Sequence, residues 1–245
     1  QGATKNMKRF AAIIVAAGSG TRLGAPKPKQ FLMLPHGRTM LEQSIYMFQQ
    51  HKSIEQIIVV RPDGDDLPLP KDIIQVSGGK SRAASVARGM NALKSDAPDF
   101  VLVHDAARCG LEASLIDDVL HACQDNYVVV PVMAMVDSLR LKTQQGWADV
   151  NREEIYGMQT PQAMPFHAYL ELLDSVPVEA TDDASIMLQA GFEMRAVQGS
   201  RRNFKVTTME DWQAMKREFH GGFARTGQGF DVHQLVPGEG LWLGG

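Results

Sequence analysis

Ala11-Ala-Ile-Ile-Val-Ala-Ala17 runs directly into Gly18-Ser-Gly-Thr-Arg22, and this junction decides the fold. A short, wholly apolar run is what a strand buried on both faces of a parallel sheet looks like. The same signal recurs downstream. Gln56-Ile-Ile-Val-Val60 reads as a second strand closed by the turn Arg61-Pro-Asp-Gly64, and Ile73–Val76 as a third that runs into Ser77-Gly-Gly79. Phe100–His104 and Val128–Met135 are further strands, with helical spacing over Thr39–Gln50, Ser81–Leu93 and Glu112–Cys123. Alternation at this short spacing predicts an α/β fold built on a doubly wound, mostly parallel sheet.

Val136–Ile155 breaks the rhythm. Alternating residues flank the Gln-Gln-Gly turn at 144–146, which predicts a protruding β-hairpin arm. Beyond Thr160-Pro-Gln162, Pro165–Leu173 reads as a helix with Pro at its start. Thr181-Asp-Asp-Ala-Ser185 caps another helix that stops at Gly191. Arg195–Val197 and Phe204–Val206 are expected as short strands, and Met209–Phe219 as a helix before a boundary at Gly221-Gly222. Met7 reads as a natural start, giving a first domain over 7–222 and a second segment over 223–245.

The composition is ordinary for a globular chain: 245 residues, 44% hydrophobic, 22% charged. Disorder and low complexity are excluded on those proportions. A formal net charge of −3 argues against coating nucleic acid or an anionic membrane. The longest apolar runs, Phe10–Ala17 and Tyr127–Val136, fall far short of the roughly 20 residues a bilayer requires. With no basic-then-apolar leader visible, a cytoplasmic location is expected. Cys109 and Cys123 are too few for a disulfide framework or a Cys-based zinc site.

Three chemistries compete for the glycine loop. Gly18-x-Gly20-x-x-x-Gly24 is one residue too long for a dinucleotide fingerprint, and Gly79-Lys80-Ser81 matches only the tail of a P-loop. Ala16-Ala-Gly-Ser-Gly-Thr-Arg22 followed by Pro28-Lys-Gln30 resembles instead the signature of nucleotidyltransferases that make nucleoside-diphosphate sugars and alcohols. Such a loop lets several backbone N–H groups converge on phosphate oxygens. Attack at the α-phosphorus of a triphosphate needs strong neutralisation, which Arg22, Lys29 and a Mg²⁺ ion would supply. The bland alternative is a tight strand–helix turn with solvated Arg and Lys.

Three further segments narrow the family. Gly78-Gly-Lys-Ser-Arg-Ala-Ala-Ser85 resembles a cytosine-reading G-G-x-x-R-x-x-S segment, Val103-His-Asp-Ala-Ala-Arg108 a V-H-D-A-A-R motif, and Asn203-Phe-Lys-Val-Thr207 an N-x-K-V-T motif. With Thr160-Pro-Gln162 and Thr181-Asp-Asp-Ala-Ser185, residues 7 to about 221 resemble the 2-C-methyl-D-erythritol 4-phosphate cytidylyltransferases of non-mevalonate isoprenoid biosynthesis, whose fold is nucleotide-diphospho-sugar transferase-like. The resemblance implies a cytidylyl transfer from CTP to the polyol phosphate. It places the backbone of Ala16, Ala17 and Gly18 along the nucleotide, and Arg22, Lys29 and Lys205 on the transition-state charge. It gives Gly79, Lys80 (through its backbone) and Ser85 to the cytosine, and Asp105 to the ribose and Mg²⁺. Arg108 and Thr160 would lie near the polyol phosphate, and Ser138 and Arg152 on an arm that reaches into the partner of a homodimer.

Simpler readings stand beside these. Asp105 could be a helix cap at a strand end, Ser85 a helix-face serine, and Arg152 a solvated charge. Asp182 and Asp183 read as a cap and a first-turn acid, and His104 as a satisfied, partly buried histidine. The sequence departs from the family at Cys109, where Pro is usual, and at Arg202, where an acid is frequent.

Arg225-Thr-Gly-Gln-Gly-Phe-Asp-Val-His233 resembles the opening of a 2,4-cyclodiphosphate synthase. A strand there would place Asp231 and His233 on one face, as two ligands of a Zn²⁺ or other divalent metal. The chain then reads as the first part of a bifunctional fusion, stopping inside its second domain. The rival readings are a cytidylyltransferase for another polyol phosphate, such as ribitol 5-phosphate, and a non-catalytic nucleotide-binding module.

Overall fold

The computed structural model describes residues 8–18, 28–64, 68–173 and 182–220. In chain order the elements are β1 (Phe10–Val15), α1 (Met40–Gln49), β2 (Ile54–Arg61), β3 (Ile74–Ser77), α2 (Arg82–Ala92), β4 (Phe100–Asp105), α3 (Ala113–Ala122) and β5 (Tyr127–Ala134). Then come β6 (Arg140–Thr143), β7 (Gly146–Asp149), β8 (Tyr156–Met158), β9 (Gln162–Pro165), α4 (Phe166–Leu173), α5 (Asp183–Gln189), β10 (Glu193–Gln198) and α6 (Met209–Phe219). The main sheet has the order β10-β5-β9-β4-β1-β2-β3, with β8 paired to β5. β1 pairs in parallel with β2 and β4, and β10 with β5, whereas β9 runs antiparallel to both its neighbours.

The apolar run at β1 is explained by its central place. Phe10, Ala12, Ile14 and Ala16 enter one core with α1 and α3 residues such as Phe48 and Ile116. Ala11 and Ile13 enter the other, with Val86 and Met90 of α2 and Tyr169 of α4. Both alternating faces are therefore buried, and neither can be polar. A smaller cluster of Leu34, Met40, Ala107, Val206, Trp212 and Met215 seats α6.

From β1 the chain passes outward to β2 and β3, then returns to place β4 on the other side of β1. That reversal opens a crevice beyond the carboxyl ends of β1 and β4, where open α/β sheets bind ligands. Helix α2 is drawn close over the sheet at Gly89, where a Cβ would lie 2.8 Å from Ile13 Cγ2 and 3.2 Å from Val60 Cγ2. The close approach carries the N-terminus of α2 to the crevice.

Two expectations change. Gln162–Pro165 is a strand and the helix begins at Phe166, so Pro165 ends β9 rather than starting α4. Its four residues carry no apolar–polar alternation because both faces are buried, Ala163 in one core and Met164 in the other. Phe204–Val206 is not a strand: Val206 N donates to Ala107 O at 2.9 Å, but side chains hold the rest, as when Asn203 Nδ2 donates to Thr160 O at 2.7 Å. The hairpin is present as β6 and β7, a two-stranded sheet of its own.

Candidate active site

The crevice is a cleft of about 520 Å³ lined by the loop after β1 (Ala16, Ala17, Gly18), the start of α2 (Gly79–Arg82, Ser85), Asp105 at the end of β4, Lys29 and Lys205. That volume lies in the range of small-molecule sites. Among the described residues, Lys29, Lys80, Arg82 and Lys205 bring cations to this lining and Asp105 the carboxylate. A wall of that charge attracts a polyanion.

Each side is braced before any ligand enters. Buried Gln30 donates from Nε2 to Ala16 O at 2.7 Å and Gly18 O at 3.3 Å, fixing the path of the β1 loop. Lys29, in the same short turn, donates from Nζ to Val206 O at 2.9 Å and so bridges to the segment that carries Lys205. On the opposite wall, a Cβ at Gly78 would fall 2.2 Å from Ala17 Cβ, so the two loops meet backbone against methyl. Gly79 N donates to Ser85 Oγ at 3.0 Å, and Ser85 Oγ donates to Ser81 O at 2.9 Å. Arg88 caps this loop from outside, NH1 donating to the carbonyls of Ser77 and Gly78.

Asp105 is the electrostatic hub. Lys205 Nζ donates to its Oδ2 at 2.7 Å and Arg82 Nε to its Oδ1 at 3.1 Å, with Arg108 Nε 4.0 Å from Oδ2. Burial would push its carboxyl up, but Arg82, Lys205 and Arg108 together outweigh that and hold it well below the usual carboxylate range. Asp105 is thus a carboxylate at every pH of interest.

A second network lies beneath. Asp105 N donates to Thr160 Oγ1 at 3.1 Å, and Thr160 Oγ1 lies 3.0 Å from His104 Nδ1. His104 Nε2 lies 3.2 Å from Arg108 O, a carbonyl that can only accept. The ring is therefore Nε2-protonated, and its Nδ1 accepts a hydrogen bond from the Thr160 hydroxyl. His104 is fully buried, and burial pushes it down to about 4. It is a structural imidazole rather than a catalyst.

The cleft therefore gathers Ala16, Ala17, Gly18, Lys29, Gly79, Lys80, Ser85, Asp105 and Lys205. Arg108 and Thr160 do not line it: Arg108 donates to Asn203 O and Met158 O, at 3.0 and 3.2 Å. Ser138 and Arg152 are exposed on the hairpin side of the molecule, where Arg152 NH1 donates to Val136 O at 2.9 Å. Arg22, Thr181, Asp231 and His233 lie outside the described residues.

Sequence reasoning missed Gln30, Arg82 and the burial of Asp183. Asp182 is the N-cap of α5, its side chain accepting from Ser185 N. Asp183 is the first-turn acid of α5, as expected, but it is only 1% exposed and sits 2.7 Å from Arg82 NH2. Arg82 was visible inside the Gly78–Ser85 segment, but its partners come from distant parts of the chain.

Among the described residues, no group of three or more His, Cys, Asp or Glu side chains could hold a metal, and no helix is long and apolar enough to cross a membrane. Residues 10–217 match the family model IspD, 2-C-methyl-D-erythritol 4-phosphate cytidylyltransferase. Curated relatives include a "Bifunctional enzyme IspD/IspF" of Hyphomonas neptunium, 36% identical over 98% of this chain and 64% of the relative. One of the same name from Erythrobacter litoralis is 37% identical over 96% and 62%. The chain thus spans just under two thirds of the length of these relatives. Among solved structures, the 2-C-methyl-D-erythritol 4-phosphate cytidylyltransferase of Thermus thermophilus aligns with TM-score 0.73 and 29% identity, over 86% of this chain and 98% of that one. The bifunctional IspDF of Campylobacter jejuni aligns with TM-score 0.74 and 25% identity, over 84% and 53%.

Proposed function

The chain belongs to the 2-C-methyl-D-erythritol 4-phosphate cytidylyltransferase family, and from that premise we propose that it transfers the cytidylyl group of CTP to 2-C-methyl-D-erythritol 4-phosphate. The observation that carries this reading is the cation-lined cleft at the sheet's reversal point, with Asp105 at its centre. A phosphate oxygen of the acceptor attacks the α-phosphorus of CTP. A new P–O bond forms, the bond to the bridging oxygen of the β-phosphate breaks, and pyrophosphate leaves with that electron pair.

A phosphate monoester has a second pKa of about 6, so the acceptor is already anionic at neutral pH and needs no general base. Alignment and neutralisation then do the chemistry. Lys29 and Lys205, with Arg22, are assigned to the charge that develops on the α-phosphate and on pyrophosphate. Lys205 exchanges its Asp105 partner for phosphate oxygens as the nucleotide enters. The backbone of Ala16–Gly18 and of Gly79–Lys80, with the Ser85 hydroxyl, is assigned to the nucleotide and its base. Arg108 and Thr160 are assigned to the polyol phosphate side, which requires Arg108 to give up its hold on Met158 O or Asn203 O.

Among the described residues a single carboxylate lines the cleft, which suits Mg²⁺ that arrives on the triphosphate, since this ion takes most of its ligands from phosphate and water. Asp105 would hold it, and the ion would supply further neutralisation of the phosphate oxygens. The arm bearing Ser138 and Arg152 exposes Val136, Leu141 and Trp147 at 63%, 58% and 71%. Side chains of that size in solvent support a homodimer in which a second copy covers the arm. In the whole protein, residues from 223 on would open a cyclodiphosphate synthase domain, with Asp231 and His233 as ligands of its divalent metal. A cytoplasmic location fits both activities.

Pyrophosphate release measured with each of the four nucleoside triphosphates and a panel of polyol phosphates tests the proposal. Turnover should require CTP and methylerythritol phosphate. Equal rates with UTP or GTP would sink the base assignment, and preference for ribitol 5-phosphate would replace the acceptor.

A further inference from the structure

Asp183 lies in the first turn of α5, where an acid stabilises a helix, but it is buried there. An acid in a first helical turn complements the helix dipole without having to be buried, and the capping of α5 is already supplied by Asp182. Burying a charge is unfavourable unless it is fully paired, and Asp183 is 1% exposed. Its partners are specific. Tyr169 Oη, itself wholly buried, donates to Oδ1 at 2.5 Å. Arg82 NH2 is ion-paired to Oδ2 at 2.7 Å, close but not aligned as a regular hydrogen bond. The neighbouring N–H on the same edge of the guanidinium reaches the cleft, where Nε donates to Asp105 Oδ1. Tyr169 on α4, Asp183 on α5, Arg82 on α2 and Asp105 on β4 therefore form one line from the interior to the nucleotide cleft.

The geometry points to Asp183 as a positioning residue for the nucleotide site, holding Arg82 so that it meets Asp105 through Nε alone. This inference rests on the nucleotide-binding reading of the cleft given above. A guanidinium opposite one carboxylate prefers to engage both oxygens with two parallel N–H groups. Asp183 prevents that by keeping NH2 on its own Oδ2. Asp105 Oδ2 is thereby left to the cleft and to Lys205. Tyr169 fixes the rotation of Asp183 so that Oδ2 faces Arg82. Without Asp183, Arg82 would close on both Asp105 oxygens, displace Lys205, and withdraw the carboxylate from the ligand.

A double-mutant cycle on the full 245-residue chain tests this, with CTP as the probe. Asp183→Asn should weaken equilibrium CTP binding roughly tenfold, the worth of one misplaced charge-assisted contact. In an Arg82→Met background the same change should alter it less than about twofold, because Asp183 acts through Arg82. Equal factors in both backgrounds, tracking thermal stability, would show a merely structural residue and overturn the inference. If Asp183→Asn does not fold, Tyr169→Phe enters the same cycle with a smaller expected loss. A ligand-independent arm follows the Arg82 Nε–H signal by ¹⁵N NMR, which should shift and exchange faster in Asp183→Asn. An unchanged signal would also overturn the inference. If the wild-type chain binds a different triphosphate, the cytidylyl reading fails, and the cycle run with that nucleotide still decides the role of Asp183.

Discussion

Acidifying the protein from about pH 7 to about pH 4 should destabilise it by about 3 kcal/mol at one ring, His104. The imidazole is fully buried, and burial pushes it from 6.5 down to about 4, against the pull of neighbouring Asp105. The unfolded chain therefore binds a proton in a window where the folded chain does not, so stability falls as pH drops through 6.5 and stops falling near 4. At 1.36 kcal/mol for each tenfold change in proton affinity, that gap is worth about 3 kcal/mol. Asp105 does not confuse the measurement. Its folded carboxyl is held below the unfolded value of 3.8, so its contribution is intact above that pH and is lost only beneath the window. Urea unfolding at intervals between these pH values gives the slope directly. His104→Gln, which keeps a donor toward Arg108 O and removes the titration, should flatten the profile by the same amount. Parallel profiles for wild type and His104→Gln would refute the assignment of a neutral, structural imidazole.

Three other outcomes follow from the site. Lys29→Ala and Lys205→Ala should each lower kcat by about 10²–10³, by analogy with loss of one oxyanion-hole donor; an effect confined to KM would make the lost cation a ground-state binder. Gly78→Ala should cost about 1–3 kcal/mol of stability and weaken CTP binding, because its Cβ would lie 2.2 Å from Ala17 Cβ. Adding Ala17→Gly should restore both, as read by thermal melting and nucleotide titration. Mixed Arg152→Ala and Lys29→Ala chains should regain activity through hybrid dimers, and no recovery in demonstrated hybrids would count against a site shared between copies.

The parts of the fold that were legible in sequence are those whose residues carry their own reason. β1 reads as buried because both of its faces are apolar, and α1 and α6 announce themselves with capping boxes at Thr39 and Thr208. The strand β9 was illegible for the opposite reason. Gln162-Ala-Met-Pro165 becomes a strand only because β4 and β5 leave a slot between them, and its register is dictated by Val101 and Leu102 rather than by its own pattern. Val206 shows the converse: a strand-like sequence is diverted because Asn203 and Lys205 are tied by their side chains to Thr160 and Asp105.

The same division governs the site. A backbone-bearing position such as Gly79 is visible in sequence because only glycine fits there, a Cβ falling 2.5 Å from Ala84 Cβ. Arg82 and Asp183 are not, because what they do depends on where a charge's partner lies. Taken singly, Arg82 is a helix-start arginine and Asp183 an acid after a cap, and each has an ordinary explanation. Only their 2.7 Å approach, with Tyr169 behind and Asp105 ahead, makes those explanations insufficient. Desolvating Asp183 is unfavourable, and α5 already has its cap, so the pairing does something the helix does not need. Arg82 is the one described cation that touches both the interior and the cleft lining through carboxylates. A change buried beside Tyr169 should therefore be felt at Asp105 before it is felt in the fold.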